Sequence, residues 1–199
     1  INKIFCIAQR TKYRILFKGM NIDPWHLSGT FYCREYKIKT LEIIKKIKPN
    51  YYIDIGCGLG EILNKVELSE KKKFGFDIDD NLTKAVKKLN SKIFFSSNKE
   101  KFFNHLSNNI KGSNNRIIVS LLNFAHTISD YEFSEYLIKL HKILGPYILI
   151  TDSVFDKSKE YRFSHKTFLD KQENILEYIE SIDKIRSLYC ISIKNKIVQ

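Results

Sequence analysis

Residues 51–60 read Tyr-Tyr-Ile-Asp-Ile-Gly-Cys-Gly-Leu-Gly, which indicates a buried strand that runs directly into a glycine-rich turn. Tyr52, Ile53 and Ile55 suit a pleated, mostly buried segment. The glycines at 56, 58 and 60 lack a Cβ, so they allow a positive φ and the close approach of a ligand. We predict that a helix begins within residues 61–66. Strand, glycine turn and helix together form the entrance to a nucleotide-type site in an open α/β sheet.

The spacing of the glycines narrows the class of ligand. A dinucleotide site has the pattern G-x-G-x-x-G, but here the third glycine comes one residue early and Glu61 follows it. Asp54 followed by G-x-G-x-G resembles the first motif of the class I S-adenosylmethionine (SAM) dependent methyltransferases. The difference has a physical basis, because a pyrophosphate is bound at a helix N-terminus, whereas SAM carries no phosphate.

A second acid supports this reading. Residues 73–79 indicate the next strand, and Asp77 follows the first glycine by about 20 residues, the offset at which an acid accepts hydrogen bonds from ribose hydroxyls. Asp79 or Asp80 then suits the N-cap of a helix that continues through Leu89.

The resemblance implies the fold, the cofactor and its binding residues. The expected fold is α/β and Rossmann-like, doubly wound, with a mostly parallel seven-stranded sheet and helices on both faces, in one domain over residues 1–199. The expected cofactor is SAM, and the product is S-adenosylhomocysteine (SAH). The cofactor-binding residues that the resemblance implies are Asp54, Gly56, Cys57, Gly58, Gly60, Asp77, Ile78, Ser97, Asn98, Leu121 and Trp25.

One expected cofactor contact departs from the family pattern. After the third strand, class I methyltransferases usually carry an Asp that binds the adenine amino group, and this chain has Ser96, Ser97 and Asn98 there instead. Ser97 or Asn98 is the alternative acceptor. Cys57 lies inside the glycine turn, where its small side chain fits a close ligand, and we do not expect it to act as a nucleophile.

Periodicity and turn residues predict the rest of the sheet. The predicted helices span residues 34–47 and 99–110, with a loop at 111–115. The predicted strands span residues 92–95, 116–122, 147–151, 175–182 and 187–193. The last two strands are expected to close the sheet as an antiparallel pair, although residues 175–182 also fit a helix.

The N-terminal residues 1–34 are expected to form a lid or arm. Residues 1–22 show no clean period. Asp23-Pro24-Trp25, with the aromatic and charged residues that follow, resembles a methyltransferase subgroup that includes the NodS-type N-methyltransferases acting on sugar amines, in which this segment folds over the cofactor. An aromatic face would also attract the sulfonium cation of SAM. The alternative is that Trp25 only anchors the arm to the core.

Composition limits the partners. The net charge is +12, which suits an anionic small molecule or a nucleic acid, but 28 of the 34 basic residues are Lys, whereas phosphate-binding proteins favour Arg. A small-molecule acceptor is therefore preferred, with nucleic acid as the alternative. The four scattered cysteines suggest reduced thiols in a cytoplasmic protein without a zinc site. No apolar run is long enough to cross a bilayer, and no membrane partner is expected.

His126 is the predicted catalytic base. It follows the fourth strand, where small-molecule methyltransferases commonly carry a His, and its ordinary pKa suits proton transfer. A structural role is the alternative, and His26 and Asp152 are further candidates. Residues 157–173 are a candidate acceptor-binding insertion. We expect methyl transfer to an O or N of a small polar acceptor such as a sugar, nucleotide-sugar or phosphorylated glycan precursor. An RNA methyltransferase and a non-catalytic binding subunit are the competing hypotheses.

Overall fold

The computed structural model describes residues 3–110, 115–154, 163–182 and 185–194. The helices are α1 Lys3–Leu16, α2 Pro24–Ser28, α3 Glu35–Ile47, α4 Asp80–Leu89, α5 Lys99–Asn109, α6 Asp130–Leu144 and α7 Lys166–Asp170. The strands are β1 Tyr51–Ile55, β2 Lys73–Phe76, β3 Phe94–Ser96, β4 Ile117–Leu121, β5 Tyr147–Val154, β6 Ile175–Ile182 and β7 Arg186–Ile193.

The strands form one seven-stranded mixed sheet in the order β3-β2-β1-β4-β5-β7-β6. The pairings from β3 through β5 are parallel, and β7 pairs antiparallel with both β5 and β6. The Rossmann-like α/β fold and the closing antiparallel pair are therefore confirmed, and residues 175–182 are a strand. The order reverses between β1 and β4, and ligands bind at such switch points, beyond the carboxyl ends of the strands.

Two apolar layers cover the sheet, and the alternation of side chains along β1 separates them. Ile53 and Ile55 belong to the layer that contains Phe102 of α5 and Phe133 of α6. Tyr52 belongs to the opposite layer, with Ile43 and Ile44 of α3 and Val86 of α4. The central strands are buried on both faces, so β1 ends at a rigid base for the turn that follows it.

The predicted helix at residues 61–66 is wrong. This segment forms a series of turns, in which Gly60 accepts from the amide of Asn64 and Ile62 accepts from both Lys65 and Val66. Ile62, Leu63 and Val66 are all buried in the layer beside α3. Tertiary packing therefore determines the backbone here more than local helix propensity does.

Residues 1–22 are more regular than their pattern indicates, because residues 3–16 form α1. Only Cys6 and Tyr13 of this helix are buried. Tyr13 and Phe17 pack against Leu59 of the glycine turn and Leu82 of α4. With so narrow a buried face, the apolar residues of α1 do not show the periodicity of an ordinary core helix.

The expectation that all four cysteines are reduced is wrong for one pair. Cys6 of α1 and Cys33 of a short 3₁₀ helix form a disulfide, with their Cα atoms 5.2 Å apart. The two residues are 27 positions apart in the sequence and meet only because the arm, residues 3–34, folds back on itself. Cys57 and Cys190 are free thiols. The inference of a cytoplasmic location rested on reduced cysteines, and this pair does not support it.

Part of two predictions lies outside the described residues. These parts are residues 111–114 of the predicted loop and residues 157–162 of the predicted insertion. Residues 163–173 of that insertion include α7, which buries Leu169.

Among the helices that the structure describes, none is long and apolar enough to cross a membrane.

Candidate functional site

The glycine turn follows β1, and its backbone has a conformation that only glycine adopts easily. Gly56, Gly58 and Gly60 have φ values of 74°, 53° and 62°, in the left-handed region that side chains with a Cβ disfavour. The amides of Gly56 and Cys57 both donate to the carbonyl of Phe76 at the end of β2. The turn is therefore held against the neighbouring strand and presents its backbone to the space above the sheet.

Asp77 fixes the same turn from the end of β2. Its Oδ2 accepts from the amide of Gly58 at 2.8 Å, and its Oδ1 accepts from the amide of Asp79 at 3.1 Å. Burial raises the pKa of Asp77, and these two amide contacts oppose the rise. As predicted, Asp79 caps α4, since its side chain accepts from the amide of Asn81. Asp77 thus lies beside the glycine turn, directly after the carboxyl end of β2.

A pocket opens between the glycine turn, the arm and the segment after β4. Its cavity volume is about 60 Å³, and it opens to solvent. Thirteen residues line it: Trp25, His26, Tyr36, Lys37, Asp54, Gly56, Cys57, Gly58, Leu59, Glu61, Ile62, Leu122 and Asn123. Six of them, Trp25, His26, Asp54, Gly56, Cys57 and Gly58, were candidates from the sequence, whereas Tyr36, Lys37 and Leu122 were missed.

Asp54 lies at the base of this pocket. Its side chain is buried, and Oδ1 accepts from the hydroxyl of Ser120 at 2.6 Å. Ser120 also shares a 2.7 Å hydrogen bond with the hydroxyl of Tyr52. Burial raises the pKa of Asp54 to about 7, against the lowering effects of Ser120 and Lys37. A cation bound in the pocket would favour the charged carboxylate.

We expect stability to depend on pH through Asp54. Its pKa is about 7 in the folded state against an ordinary 3.8, so the folded protein holds a proton that the unfolded chain releases. Stability contributed by this group is therefore lost as the pH rises from about 4 to about 7. In thermal melts, the melting temperature of Asp54→Asn relative to that of the wild type should rise across this pH window and stay constant above it. A difference in melting temperature that does not change with pH would contradict this assignment.

Glu61 ties the arm to the glycine turn. Its buried carboxylate forms an ion pair with Lys37 of α3 at 2.5 Å, and it accepts from the amide of Phe31 and from Gln9 of α1. Lys37 also donates to the carbonyl of Gly29 at 2.7 Å. Burial acts to lower the pKa of Lys37, but Glu61 outweighs it and the pKa is raised. One carboxylate beside the pocket thus joins α3 to two separate parts of the arm.

Glu61→Gln is expected to lower the free energy of unfolding by about 1–3 kcal/mol, because Lys37 loses its buried counter-charge. Chemical denaturation followed by circular dichroism measures this. Glu67 provides the control, since its pair with Lys45 is exposed, and Glu67→Gln should cost much less than Glu61→Gln. Equal costs for the two variants would show that Glu61 does not hold the arm.

The residues expected to contact adenine lie at the ends of β2 and β3. Ile78 is 78% exposed and is not among the residues that line the pocket. Ser97 donates to Asp80 at 2.9 Å, and the Asn98 side chain caps α5 by accepting from the amide of Lys101. Both polar side chains therefore already have partners. Leu121 is buried in the core, and its neighbour Leu122 lines the pocket instead.

The short helix α2 covers the glycine turn. Asp23 caps it by accepting from the amide of Trp25. His26 reaches so close to the turn that a methyl group on Gly58 would lie 3.1 Å from His26 Nδ1. Burial lowers the pKa of His26, with Asp77 opposing, which favours a neutral imidazole at the pocket wall. The guanidinium of Arg34 stacks on Trp25 at 4.9 Å and fixes that ring.

His126 and Asp152 lie behind the pocket. His126 is buried in a short 3₁₀ helix and is not among the residues that line the pocket. Burial lowers its pKa, with Asp152 opposing. Asp152 forms a buried ion pair with Arg186 and accepts from the amide of Asn123 at 2.8 Å. This pair supports Asn123, which has a φ of 52° and faces the pocket. Asp152 therefore positions the loop after β4.

Two further properties of the site concern the thiol of Cys57 and the binding of metal ions. Burial raises the pKa of the Cys57 thiol well above its ordinary value, followed by a smaller contribution from Asp77, which disfavours the thiolate that a nucleophile needs. In the part of the chain that the structure describes, no group of three His, Cys, Asp or Glu side chains could hold a metal ion.

No family model and no curated protein sequence matches the chain. Among solved structures, the N-methyltransferase NodS from Bradyrhizobium japonicum WM9 in complex with SAH has a TM-score of 0.63 and 15% identity, over 92% of this chain and 98% of NodS. Magnesium protoporphyrin IX methyltransferase (ChlM) from Synechocystis PCC 6803 with bound SAM has a TM-score of 0.56 and 12% identity, over 97% of this chain and 94% of ChlM.

The small RNA methyltransferase HEN1 is also similar. It has a TM-score of 0.54 and 16% identity, over 83% of this chain and 26% of HEN1. By their names, ChlM and HEN1 act on different acceptors, magnesium protoporphyrin IX and small RNA, but all three proteins share one fold with this chain. The chain therefore has the fold of the SAM-dependent methyltransferases, as the glycine motif and Asp77 predicted.

Proposed function

We propose that the pocket binds SAM and that the protein transfers the methyl group of SAM to an O or N atom of a small polar acceptor. The observation that carries the proposal is the contact between Asp77 and the amide of Gly58, which joins the glycine turn to the acid at the end of β2. In this proposal the chain acts as one methyltransferase domain, with the arm as its lid.

The residues around the pocket fit the chemical groups of SAM. Asp77 supplies carboxylate oxygens for the ribose hydroxyls, and exposed Ile78 supplies an apolar surface for the adenine ring. Asp54 supplies a buried carboxylate for the ammonium group. The positive φ values of Gly56, Gly58 and Gly60 give the turn the shape on which the ligand would lie. Ser97 would take part in adenine binding through its backbone, since its side chain is engaged by Asp80. Both the side chain and the backbone of Asn98 already have partners.

When bound, SAM supplies a methyl group on a sulfonium, which is a good leaving group. The protein then has mainly to align the acceptor with that methyl group, and alignment can contribute about 7–11 kcal/mol. The arm contributes by closing one side of the pocket, where Glu61 holds it through Gln9, Phe31 and Lys37. A base is needed only for an acceptor that loses a proton during attack, such as a hydroxyl.

We propose His26 as that base and a supporting role for His126. His26 lines the pocket, and burial keeps its imidazole neutral, the form that accepts a proton. For a hydroxyl acceptor, His26→Ala should lower kcat by about 10²–10⁴-fold, and His126→Ala should lower it less than tenfold. Single-turnover methyl transfer measures both. If His126→Ala lowers kcat more than His26→Ala does, then His126, the residue predicted from the sequence, is the base.

The acceptor class proposed is a sugar, nucleotide-sugar or phosphorylated glycan precursor. The proposal rests on the resemblance of the Asp23-Pro24-Trp25 segment to the NodS-type enzymes and on the net charge of +12, which favours anionic ligands. The test is transfer of labelled methyl groups from SAM to a panel of amino sugars, nucleotide-sugars and sugar phosphates, with Asp77→Ala as the inactive control. Methylation of none of them would exclude this acceptor class.

RNA is the second candidate acceptor. The observations that favour it are the same positive charge and the structural similarity to HEN1. Binding of RNA through phosphates weakens steeply with added salt, and methylation of RNA in the same labelled assay would select this alternative. Strong RNA binding without methylation would support neither acceptor class.

A further inference from the structure

The outward face of α1 is apolar and uncovered by the described residues. Ile4, Ile7 and Ile15 are 77%, 63% and 72% exposed. Their separations of three and eight residues place them on one side of the helix. Single exposed apolar residues are ordinary, but a row of large aliphatic side chains on one helix face marks an interaction surface.

The other face of α1 is fixed to the protein, so the row cannot turn inward. Cys6 is bonded to Cys33, and Tyr13 is buried against Leu59 of the glycine turn. Gln9 donates to Glu61 at 2.9 Å. The helix therefore presents Ile4, Ile7 and Ile15 away from the protein while its inner face lies against the glycine turn.

Charge distinguishes the possible occupants of this face. Residues 1–22 contain five basic residues and no acid, and the first acid is Asp23. Lys12 and Arg14 are exposed beside the isoleucine row. Two copies of such a helix would bring like charges together, which disfavours a dimer through α1. An apolar row with flanking cations instead complements an anionic lipid surface, where aliphatic side chains enter the acyl boundary and basic ones meet headgroup phosphates.

We propose that α1 is an interfacial helix that binds the protein to anionic lipid surfaces through Ile4, Ile7 and Ile15, with Lys12 and Arg14 at the headgroups. The arm side of the pocket would then face the lipid. This changes the expectation of no membrane partner, which considered only segments long enough to span a bilayer. The proposal does not depend on methyl transfer.

The test is co-sedimentation with vesicles that contain phosphatidylglycerol and with vesicles of phosphatidylcholine alone. We expect the wild type to bind the anionic vesicles and to bind phosphatidylcholine at least tenfold more weakly. Ile7→Glu and the double variant Ile4→Glu/Ile15→Glu should each lose at least tenfold in affinity, and Lys12→Gln/Arg14→Gln should lose about fivefold per charge. Because these side chains are exposed, the melting temperature should not change.

Tyr131 provides the matched control. It is 72% exposed on α6, on another part of the protein, and Tyr131→Glu should bind vesicles as the wild type does. Three results would overturn the proposal: no binding to anionic vesicles, unchanged binding by the isoleucine variants, or a dimer in sedimentation velocity that the isoleucine variants dissociate. The second result would indicate that the basic residues of α1 bind a polyanion such as RNA. The third would indicate that the isoleucine row binds a second copy of the protein.

Discussion

Asp77→Ala is expected to weaken SAM binding at least 100-fold. The proposed role of Asp77 is to accept hydrogen bonds from two ribose hydroxyls, and a hydrogen bond to a charged group contributes about 1.5–3 kcal/mol. The same carboxylate accepts from the amide of Gly58, so its removal also frees the turn on which the ligand lies. Isothermal titration calorimetry with SAM and SAH measures the effect directly.

Asp77→Asn separates these two roles of Asp77, and Glu135→Ala is the control. Asp77→Asn retains an acceptor for the amide of Gly58 but loses the negative charge, and about a tenfold loss of affinity is expected. Glu135→Ala removes an exposed acid on α6 and should bind SAM as the wild type does. Wild-type affinity in Asp77→Ala would remove Asp77 from the cofactor site, whatever its effect on the turn.

Gly56→Ala is expected to abolish SAM binding and to destabilise the fold by about 2–5 kcal/mol. The φ of 74° places the new methyl group in a strained backbone, which costs about 1–2 kcal/mol. The methyl group would also lie 2.5 Å from the Cβ of Phe124, and crowding of that kind costs about 1–3 kcal/mol. The melting temperature should fall by about 5–15 °C.

Gly19→Ala is the control for backbone strain. Its φ is 80°, close to that of Gly56, and no described atom outside its chain neighbours lies within 4 Å of the added methyl group, so only the strain of about 1–2 kcal/mol is expected. The double variant Gly56→Ala/Phe124→Ala should recover part of the loss in Gly56→Ala, because the clash is removed. If Gly56→Ala costs no more than Gly19→Ala, then Phe124 does not close over the turn.

The sequence was sufficient where local pattern and chemistry coincide. Residues 51–60 predicted β1 and the glycine turn, because a buried strand followed by spaced glycines has few other uses. The offset of Asp77 from the first glycine predicted that this acid lies near the glycine turn. In the structure, Oδ2 of Asp77 lies 2.8 Å from the amide nitrogen of Gly58. Alternation also predicted the last two strands at residues 175–182 and 187–193, with a helix as the alternative for the first, and the structure pairs them antiparallel.

The sequence was insufficient where distant residues meet. Glu61 was visible as an unusual residue after the glycines, but its contacts with Gln9, Phe31 and Lys37 depend on how the arm folds. The same folding pairs Cys6 with Cys33, which spacing could not indicate. Leu121 and Leu122 differ by one position, and only the register of β4 decides which of them faces the pocket. The helix predicted at residues 61–66 failed because burial of Leu63 and its neighbours determines that backbone.

The most direct test of the central claim is a calorimetric titration of the wild-type protein with SAM. If the pocket above β1 is a SAM site, one molecule of SAM binds per chain with micromolar affinity, and SAH competes for the same site. Bound ligand should also raise the melting temperature by mass action. A protein that unfolds cooperatively but binds neither SAM nor SAH at millimolar concentration would contradict the claim, and the fold would then serve another purpose.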